Sequence, residues 1–584
     1  MDILFITASD RIKLNSVSNG IMLLSTILID AGFDVDIMRF CQFKSHKINY
    51  TLFIKEITSE ISRLNHKIVS FYTLWPYYHI MLRIAKELKI ANCDTIIVFG
   101  GPHSSATAEN TMKACTYVDY ICTGEGEETV VPFFSAVLKN YGHDLSTVPG
   151  LYYRKNGLVY HNDIPVPLCN LNTLPYWNRS LISACNPQNE SDIHSPTYYM
   201  PVDVGRGCPF SCTYCATSNF WHRTYRLKSP ERIVAEIKHF NQAYGIKSFY
   251  FSHDAFTVNK QLVSQVCKML QEDALQIVWK CTTRVDCISE PLILEMKQAG
   301  LRAIEMGIET GSQRMQTIIN KKLNLGNALQ TIKSLIKNNI DTSVFFIYGF
   351  PEETEEDINL TLNFLFDCLD LGVLNTSFNL CRFAPGTKLT EQYYDELSLD
   401  SNCKILFYGD FGVEDEMKII QANKQLFSNY YNLRTPIRKD YQYLYFFQLL
   451  YKNQRVLMSF LRSYYQNNMT AFYKDFLSTN SHMFNDLNHT ANEIKQNPLS
   501  ILHNMIQKLD HKCRKLINEL IRFHNDIEQV KKSPNGASLQ TVYGFNYLDY
   551  LEKTPIREFY DCKTELQISK EAEKIDIQLI DFRS

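Results

Sequence analysis

Short apolar runs alternate with amphipathic helical stretches over the first 145 residues of the chain. The runs predicted to be strands are Ile3–Thr7, Asp34–Met38, Lys67–Phe71, Thr95–Phe99 and Tyr117–Cys122. Amphipathic helices are predicted at Gly20–Ala31 and Tyr78–Leu88. Strands that alternate with helices favour a doubly wound parallel sheet, so we predict an α/β domain over residues 1–145. Glycine, serine or threonine follows the strands, and we therefore expect a ligand at the carboxyl edge of this sheet.

Residues 146–195 have the pattern of a connecting segment. A β-hairpin is predicted at Gly150–Tyr160, because Asn156-Gly157 is a strong signal for a two-residue turn. The prolines that follow are too closely spaced for long helices or strands; they are Pro165, Pro167, Pro175 and Pro187.

A second β/α series occupies residues 196–404. The predicted strands are Tyr198–Val204, Ser248–Phe251, Ile277–Cys281, Ala303–Ile308, Ser343–Ile347 and Thr376–Cys381. Helices are predicted between them, for example Pro230–Tyr244, with Ser229 as its N-cap and proline at its first position. Six β/α units predict a partial (β/α)6 barrel with its site at the carboxyl ends of the strands.

The pattern changes again after residue 404. Helical apolar spacing at Tyr441–Phe476 and Ser500–Val530 predicts a mostly α-helical C-terminal domain over residues 405–584. Two roles remain open for its aromatic helices. They could close the mouth of the barrel and shape a substrate pocket, or they could form a docking surface for a partner or peptide.

Composition and charge exclude several classes of protein. The chain has 584 residues, 45% of them hydrophobic and 21% charged, which is typical of globular domains. Lys+Arg 60 against Asp+Glu 62 argues against nucleic acid as a partner. The longest apolar run, Ile21–Ile29, is too short to span a membrane and is interrupted by Ser25 and Thr26. The N-terminus begins a strand and lacks the plan of a signal peptide, so we predict a cytoplasmic protein.

Three of the 17 cysteines stand apart from the rest. Cys208, Cys212 and Cys215 have C-x3-C-x2-C spacing in a loop directly after a predicted strand, between the flexible Gly205 and Gly207 and a helix. Three thiolates on one short loop can hold three irons of a 4Fe–4S cluster and leave the fourth iron free for a small molecule. The alternative is a zinc site, for which His222 would have to serve as the fourth ligand. The remaining cysteines are scattered and are expected to be buried thiols.

The cysteine loop resembles that of the radical S-adenosylmethionine (SAM) enzymes, in which an aromatic residue, here Tyr214, precedes the third cysteine. Later segments are similar to the strand ends of that family and follow in the same order: Phe251–Asp254, Thr283–Asp286, Met306–Gly311, Ile347–Glu352 and Ala384–Thr387. The resemblance implies SAM contacts from Tyr214, Ser252, Asp254, Arg284, Glu309, Ile347 and Gly349. Phe345 departs from the family pattern, since it stands where the adenine-binding strand has its first glycine.

The N-terminal domain resembles the Rossmann-like cobalamin-binding domain that is fused to one class of these enzymes. The similar segments are Val98–Ser104 and Gly124–Glu127. The resemblance implies cobalamin contacts from Thr73, Trp75, Gly100, Gly101, His103, Gly124, Glu125 and Gly126. The D-x-H-x-x-G motif that supplies a cobalt ligand elsewhere is absent, and His103 is not expected to take that role. Trp75 would either cover the lower face of the corrin or simply cap the sheet.

The resemblance covers roughly residues 1–400 and implies a 4Fe–4S cluster, SAM and cobalamin as cofactors. The implied function is methylation of an unactivated carbon of a peptide or natural-product intermediate through a 5′-deoxyadenosyl radical and methylcobalamin. The alternatives are a non-methylating rearrangement or cyclisation, and a cobalamin- or SAM-binding sensor without turnover. A methylthiotransferase is disfavoured, because the N-terminal domain lacks a second cysteine group. The expected partners are a small-molecule or peptide substrate and an electron donor such as flavodoxin or ferredoxin. No catalytic side chain is assigned.

Overall fold

A computed structural model describes most of the chain. It covers residues 2–9, 18–41, 49–138, 144–178, 180–181, 199–399, 412–485, 487–496 and 498–509, isolated helical positions between 511 and 529, and residues 538–543, 563–571 and 574–583. Among these residues, no helix combines the length and the apolar character that a membrane crossing requires.

The first sheet has the parallel centre that the sequence predicts. Its parallel strands are β1 (Ile3–Ser9), β2 (Val35–Cys41), β3 (Ile68–Tyr72), β4 (Ile96–Gly100) and β5 (Tyr120–Cys122). The flanking helices are α1 (Asn19–Asp30), α2 (Tyr50–Leu64), α3 (Tyr78–Ala91), α4 (Pro102–Ala114) and α5 (Val130–Leu138). The strand order β2-β1-β3-β4-β5 is doubly wound. Along β1, Ile3 and Phe5 belong to one apolar core, while Leu4 and Ile6 belong to another on the opposite face. Helices therefore cover both faces of the sheet, and its strands are apolar throughout.

The predicted hairpin extends this sheet. It consists of β6 (Leu151–Lys155) and β7 (Leu158–His161), and β6 pairs antiparallel with β5 to give seven strands in all. The turn residues Asn156 and Gly157 have φ values of 53° and 78°. Positive φ at both positions is the conformation that an Asn-Gly turn adopts most readily.

The second series forms the predicted open barrel. Its eight strands, two of which form a separate ribbon, are β8 (Met200–Asp203), β9 (Gly205–Gly207), β10 (Tyr225–Leu227), β11 (Ser248–Ser252), β12 (Val278–Arg284), β13 (Leu301–Glu309), β14 (Asp341–Tyr348) and β15 (Asn375–Leu380). Six of them pair in parallel in the order β15-β14-β13-β12-β11-β8, and the ends of the series are not paired with each other. The remaining two, β9 and β10, form the antiparallel ribbon that leads into and out of the cysteine loop.

Helices surround the outside of the barrel. They are α6 (Ala216–Phe220), α7 (Pro230–Tyr244), α8 (Lys260–Glu272), α9 (Glu290–Gln298), α10 (Gln313–Ile318), α11 (Leu325–Lys337), α12 (Glu355–Leu371) and α13 (Lys388–Tyr393). The start of α7 is as predicted, because the Ser229 side chain accepts a hydrogen bond from the Arg232 N–H at 3.3 Å.

The described residues of the C-terminal region are mostly helical, and three longer strands follow the helices. Its helices are α14 (Met417–Ala422), α15 (Pro436–Asp440), α16 (Leu444–Asn453), α17 (Arg455–Tyr464), α18 (Met469–Thr479), α19 (Leu487–Gln496) and α20 (Pro498–Gln507). A short pair, β16 (Ser398–Leu399) and β17 (Tyr431–Asn432), precedes a three-stranded antiparallel sheet of β18 (Ser538–Tyr543), β19 (Lys563–Glu571) and β20 (Lys574–Arg583), which the sequence analysis did not predict.

The aromatic helices of this region widen the outer layer of the barrel. The rings of Phe366 on α12 and Tyr451 on α16 stack with centroids 3.8 Å apart. The Gln448 side chain donates a hydrogen bond to the Thr376 carbonyl of β15 at 2.8 Å, which fixes α16 to the edge strand. The segment 412–438 takes a different path and lies over the carboxyl ends of β14 and β15, where Arg438 donates to the Cys381 carbonyl at 2.5 Å.

Candidate functional site

The cysteine loop lies at the carboxyl end of the barrel and is tied to the loop after α10. Its three thiols, those of Cys208, Cys212 and Cys215, are partly buried and form no disulfide. The Thr213 N–H donates to the Ile319 carbonyl at 3.0 Å, and the Asn320 side chain donates to the Ser211 carbonyl at 2.9 Å. These bonds fix the backbone of the loop that carries the three thiols.

The thiols lie close enough together to influence one another. Burial raises the pKa of Cys208 to about 11, and the neighbouring charges of Cys215 and Cys212 add to that rise. Thiolates crowded into a buried site require a strong positive charge between them, and a metal cluster supplies one.

Arg284, at the end of β12, lies against this loop. Its Nη1 is 3.7 Å from the Cys212 Sγ, and its guanidinium stacks over the Phe210 ring at 3.7 Å. The other nitrogens donate to Asp286, at 2.8 and 3.0 Å, and to the Lys321 carbonyl at 2.8 Å. The structure therefore places this predicted SAM contact beside the cysteines, with its orientation already set.

Glu309, at the end of β13, forms a buried group with two partners. Lys321 Nζ donates to its Oε1 at 2.7 Å. Burial and a hydrogen bond with Glu309 hold the pKa of Tyr214 well above its usual range. The backbone of Glu309 has a φ of 69°, which costs a non-glycine residue energy and is often found at ligand sites. A Cβ on Gly307 would lie 2.1 Å from Glu309 Oε1, so glycine there makes room for the pair.

Just after β14, the carboxylate that bonds to the backbone belongs to Glu353, which is not among the predicted SAM contacts. The Gly349 N–H donates to Glu353 Oε2 at 2.5 Å, whereas Glu352, in the quoted motif, accepts a bond from the Tyr393 hydroxyl at 3.0 Å. Burial raises the pKa of Glu353 to about 8. Ile347 packs in the same apolar cluster as Tyr214. The Tyr214 ring also packs against Phe350, the residue after Gly349, with ring centroids 5.8 Å apart.

A cavity of about 820 Å³ separates the carboxyl edge of the first sheet from the barrel. The predicted contact residues that line it are Trp75, Gly100, Gly101, Gly124, Glu125, Gly126, Ser252 and Asp254. The first six come from the N-terminal domain and the last two from β11 and the loop after it. Both carboxyl edges therefore face a common space, which is the place where open α/β sheets and barrels bind ligands.

Two predicted cobalamin contacts lie outside the wall of this cavity. Thr73 is fully buried, and its hydroxyl donates to the Gly100 carbonyl at 3.0 Å and to Ser104 Oγ at 2.8 Å. His103 lies against the Tyr78 ring, and its Nε2 is 3.0 Å from the Leu426 carbonyl. Burial lowers the pKa of His103 to about 4, so the imidazole is neutral. Thr73 and His103 hold the loop and the helix behind it.

Comparison with known proteins finds a family match in each of the first two domains. The B12 binding domain family matches residues 9–133, and the radical SAM superfamily matches residues 202–365. The chain combines a B12 binding domain with a radical SAM domain.

Relatives carry the names of two kinds of enzyme. An uncharacterized methyltransferase of Pyrococcus horikoshii is 31% identical, with the match spanning 53% of this chain and 65% of that protein. An anaerobic magnesium-protoporphyrin IX monomethyl ester cyclase of Rubrivivax gelatinosus is 26% identical over 52% of this chain and 55% of the relative. The chain thus spans less than two thirds of the length of either protein.

A solved structure shares the fold. The cobalamin-dependent SAM radical enzyme OxsB, with aqua-cobalamin and SAM bound, superposes with a TM-score of 0.55. The superposition covers 90% of this chain and 84% of OxsB at 16% sequence identity.

The three cysteines of this radical SAM domain fit a 4Fe–4S cluster better than a single metal ion. In the part of the chain that the structure describes, no three His, Cys, Asp or Glu side chains are grouped closely enough to hold one ion. A cluster accepts a wider spacing, because each thiolate binds a different iron. The thiol chemistry and the shared loop of Cys208, Cys212 and Cys215 therefore match this cofactor.

Some buried polar atoms at the carboxyl end of the barrel have no hydrogen-bond partner among the described residues, and bound SAM would supply one. Within the described residues, the buried Glu353 Oε1 has no hydrogen-bond partner. The nitrogen and oxygen of the Asn429 side-chain amide have none either. Buried polar atoms are rarely left unpaired, and here they lie at or over the ends of β14 and β15. A polar ligand bound at this edge would complete them.

The glycine loops fit a bulky group in the cavity. A Cβ on Gly100 would meet nothing closer than the Cys122 carbonyl at 3.7 Å, so its place borders open space. The part of the cavity wall that the structure describes includes no histidine from the N-terminal domain. The barrel side of the wall includes His253.

Asp254 is expected to reduce the stability of the fold at neutral pH. Its carboxylate accepts hydrogen bonds from the Gly207 N–H and the Trp221 indole, yet burial and the charge of Asp203 raise its pKa from 3.8 to about 6. The folded protein then binds more protons than the unfolded chain between about pH 4 and about pH 6, so stability falls as pH rises through that window. Asp254→Asn should increase the free energy of unfolding by about 3 kcal/mol at about pH 8 and leave it nearly unchanged at about pH 4.

Urea denaturation of the cofactor-free protein at the two pH values measures this difference. Asp94→Asn, at an exposed carboxylate, is the matched control and should change neither value. An equal gain for Asp254→Asn at both pH values would mean that the burial of its charge is not the cause.

Proposed function

We propose that this protein is a cobalamin-dependent radical SAM methyltransferase that acts on an unactivated carbon of a small-molecule or peptide substrate. The observation that carries the proposal is the common cavity, in which Gly100, Gly124 and Trp75 face Ser252 and Asp254. A methyl group can pass between two cofactor sites only if both open onto the carbon that receives it. Bound together, the cluster, SAM and cobalamin supply one-electron cleavage of SAM and a methyl donor.

Different side chains would bind the cofactors, orient them and exclude water. The thiolates of the cysteine loop would hold the cluster, and the Arg284 guanidinium lies 3.7 Å from one of them, the Cys212 Sγ. The Lys321–Glu309 pair, with the Tyr214 hydroxyl, presents a fixed carboxylate where the resemblance places SAM. Phe5, Leu23, Leu24 and Phe134 line the N-terminal side of the cavity and would keep water away from reactive species.

An oxidative cyclisation is the second candidate, since a relative that matches over about half of the chain is named a cyclase. Both candidates share the cofactors and differ in what captures the substrate carbon. Both also need an electron from a reductant such as flavodoxin or ferredoxin. We propose a cytoplasmic location as well, because a chain with 17 cysteines and an oxygen-sensitive cluster suits a reducing compartment.

The experiment that tests methylation uses SAM labelled in its methyl group. Anaerobic protein with SAM, hydroxocobalamin and a chemical reductant should produce both S-adenosylhomocysteine, from methyl donation, and 5′-deoxyadenosine, from reductive cleavage. Trp75→Ala should slow S-adenosylhomocysteine formation about tenfold and leave deoxyadenosine formation unchanged, because Trp75 lines the cobalamin side of the cavity.

Trp75→Phe, which keeps an aromatic ring, should restore most of the rate. Tyr160→Ala removes an exposed aromatic side chain on β7 and should change neither product. Deoxyadenosine without any S-adenosylhomocysteine in the wild-type protein would favour the cyclase alternative. Absence of both products would favour the sensor.

A further inference from the structure

The ribbon of β9 and β10 brings two positive charges face to face. Arg206, which lies two residues before Cys208, is the cross-strand partner of Arg226. Like charges directly opposite each other destabilise a strand pair, and burial increases the penalty. Only 7% of Arg206 is exposed. The ribbon therefore needs negative charge from elsewhere in the molecule.

The closest negative charges come from the other domain. Arg206 donates to Glu125 Oε2 at 2.8 Å and to Glu127 Oε1 at 2.5 Å. Arg226 donates to both oxygens of Glu125 and, at 2.6 Å, to the Leu168 carbonyl. Glu125 thus lies between the two guanidinium groups and neutralises their repulsion. We call Glu125, Glu127, Arg206 and Arg226 the interdomain ion cluster.

The ribbon has little freedom to move relative to these partners. A Cβ on Gly205 would lie 2.4 Å from the Arg226 carbonyl, and one on Gly207 would lie 2.1 Å from the Thr224 carbonyl. The Trp221 ring packs against both guanidinium groups, 5.7 Å from the carbon of Arg206 and 5.8 Å from that of Arg226. The two strands and their charges are therefore packed as one tight unit.

The interdomain ion cluster touches both proposed cofactor sites. Its carboxylates belong to the loop 124–127, which lines the cavity, and the Arg206 side chain lines the cavity as well. On the other side, Arg206 is separated from the first cluster ligand, Cys208, by Gly207 alone. A change in the position of the cysteine loop must move Arg206, and that movement must change the wall against which cobalamin would bind.

We propose that the interdomain ion cluster couples the two cofactor sites, so that the iron–sulfur cluster and cobalamin each increase the affinity of the protein for the other. The inference rests on the proposed function for the identity of the two cofactors. Iron bound by Cys208 fixes the ribbon, the ribbon fixes Arg206, and Arg206 fixes the loop that carries Glu125 and Glu127. Thermodynamic linkage makes the effect reciprocal.

The test compares hydroxocobalamin binding by cluster-free and anaerobically reconstituted protein. The wild-type protein should bind hydroxocobalamin about 5- to 150-fold more tightly when the iron–sulfur cluster is present, which is the usual range of coupling between two sites. Glu127→Gln weakens the single contact between Arg206 and Glu127, and Arg206→Lys removes the planar fork that reaches both Glu125 and Glu127. Each variant should bring this ratio close to one. Both variants should still bind iron and hydroxocobalamin.

Glu236→Gln is the matched control. Glu236 forms a buried ion pair with Lys228 at 2.8 Å, on the helical side of the barrel and away from the cavity. Its loss should reduce stability and leave the ratio of affinities at the wild-type value.

A wild-type ratio of one, or a wild-type ratio retained by both Glu127→Gln and Arg206→Lys, would overturn the coupling. The wild-type comparison decides the question even if a variant does not fold. Failure of the wild-type protein to bind hydroxocobalamin in either state would refute the proposed function itself and is a distinct result.

Discussion

Cys212→Ala is expected to remove the iron–sulfur cluster and all deoxyadenosine formation, while hydroxocobalamin still binds. Cys212 is the middle ligand of the loop and lies 3.7 Å from the Arg284 guanidinium, so its loss leaves that charge without the sulfur beside it. Two remaining thiolates cannot hold a cluster whose fourth iron must stay open for SAM. Anaerobic reconstitution followed by iron analysis and electron paramagnetic resonance should show about four irons in the wild-type protein and none in the variant.

Cys287→Ala is the matched control. Cys287 is a partly buried thiol near Cys208, on the turn after β12, and it lies outside the C-x3-C-x2-C loop. We expect this variant to keep about four irons and full deoxyadenosine formation. A single tightly bound zinc in place of iron in the wild-type protein would contradict the assignment and return the loop to the zinc alternative. Iron lost equally from both variants would show that a different set of cysteines binds it.

The sequence predicted the two sheets for different reasons. In the first sheet, β1 is a continuous apolar run that is buried on both faces. In the barrel, β14 alternates buried and partly buried residues, which is the period of two expected of a strand. The strands of both series lie within a few residues of the predicted positions, and the hairpin turn at Asn156-Gly157 is where its two residues indicate. Local chemistry determines these elements, so the local sequence reveals them.

Helix α2 and the strands β18, β19 and β20 were not predicted from the sequence. Helix α2 has a moderate apolar stripe that includes Phe53 and Ile61, and its cap is the Asn49 side chain, which accepts from the Thr51 N–H at 2.9 Å. An asparagine directly before an apolar stripe is a recognised sign of a helix start, so this helix could have been predicted. Strand β20 alternates apolar and polar residues from Ile575 to Leu579, and this period of two is a strand signal that was overlooked.

The candidate site also has parts that the local sequence reveals and parts that only the fold brings together. The cysteine loop and the glycine loops could be located from spacing alone. Lys321 could not, since its role arises from a 2.7 Å contact with Glu309 that the chain makes only after α10 turns back to the barrel. His103 follows the glycine loop directly, yet α4 turns its ring toward Leu426, more than 300 residues away in sequence. Spacing identifies a loop, and tertiary packing decides which of its side chains reach the ligand.

Gly100→Leu is expected to block cobalamin binding and to leave the iron–sulfur cluster intact. The end of β4 is the one part of the Gly100-Gly101 loop that accepts a side chain. A Cβ on Gly100 would meet only the Cys122 carbonyl at 3.7 Å, and the leucine side chain would extend into the cavity. On Gly101, with a φ of 103°, a Cβ would lie 3.0 Å from the Thr73 backbone and would strain the fold itself. Gly100→Leu therefore separates occupancy of the cavity from folding.

Titration with hydroxocobalamin, followed by absorbance, should show binding weakened by at least about 100-fold, because a buried clash excludes a ligand more effectively than the loss of one contact. Iron content and reductive cleavage of SAM should match the wild-type protein, since the cysteine loop lies across the cavity on the other domain. Gly326→Leu, near the start of α11, places the same side chain where a Cβ meets only Asn324 Oδ1 at 3.5 Å, away from the cavity, and should bind hydroxocobalamin normally. Full affinity in Gly100→Leu would mean that cobalamin does not bind at this edge of the sheet, and the methyl donor would then have to reach the barrel from another face.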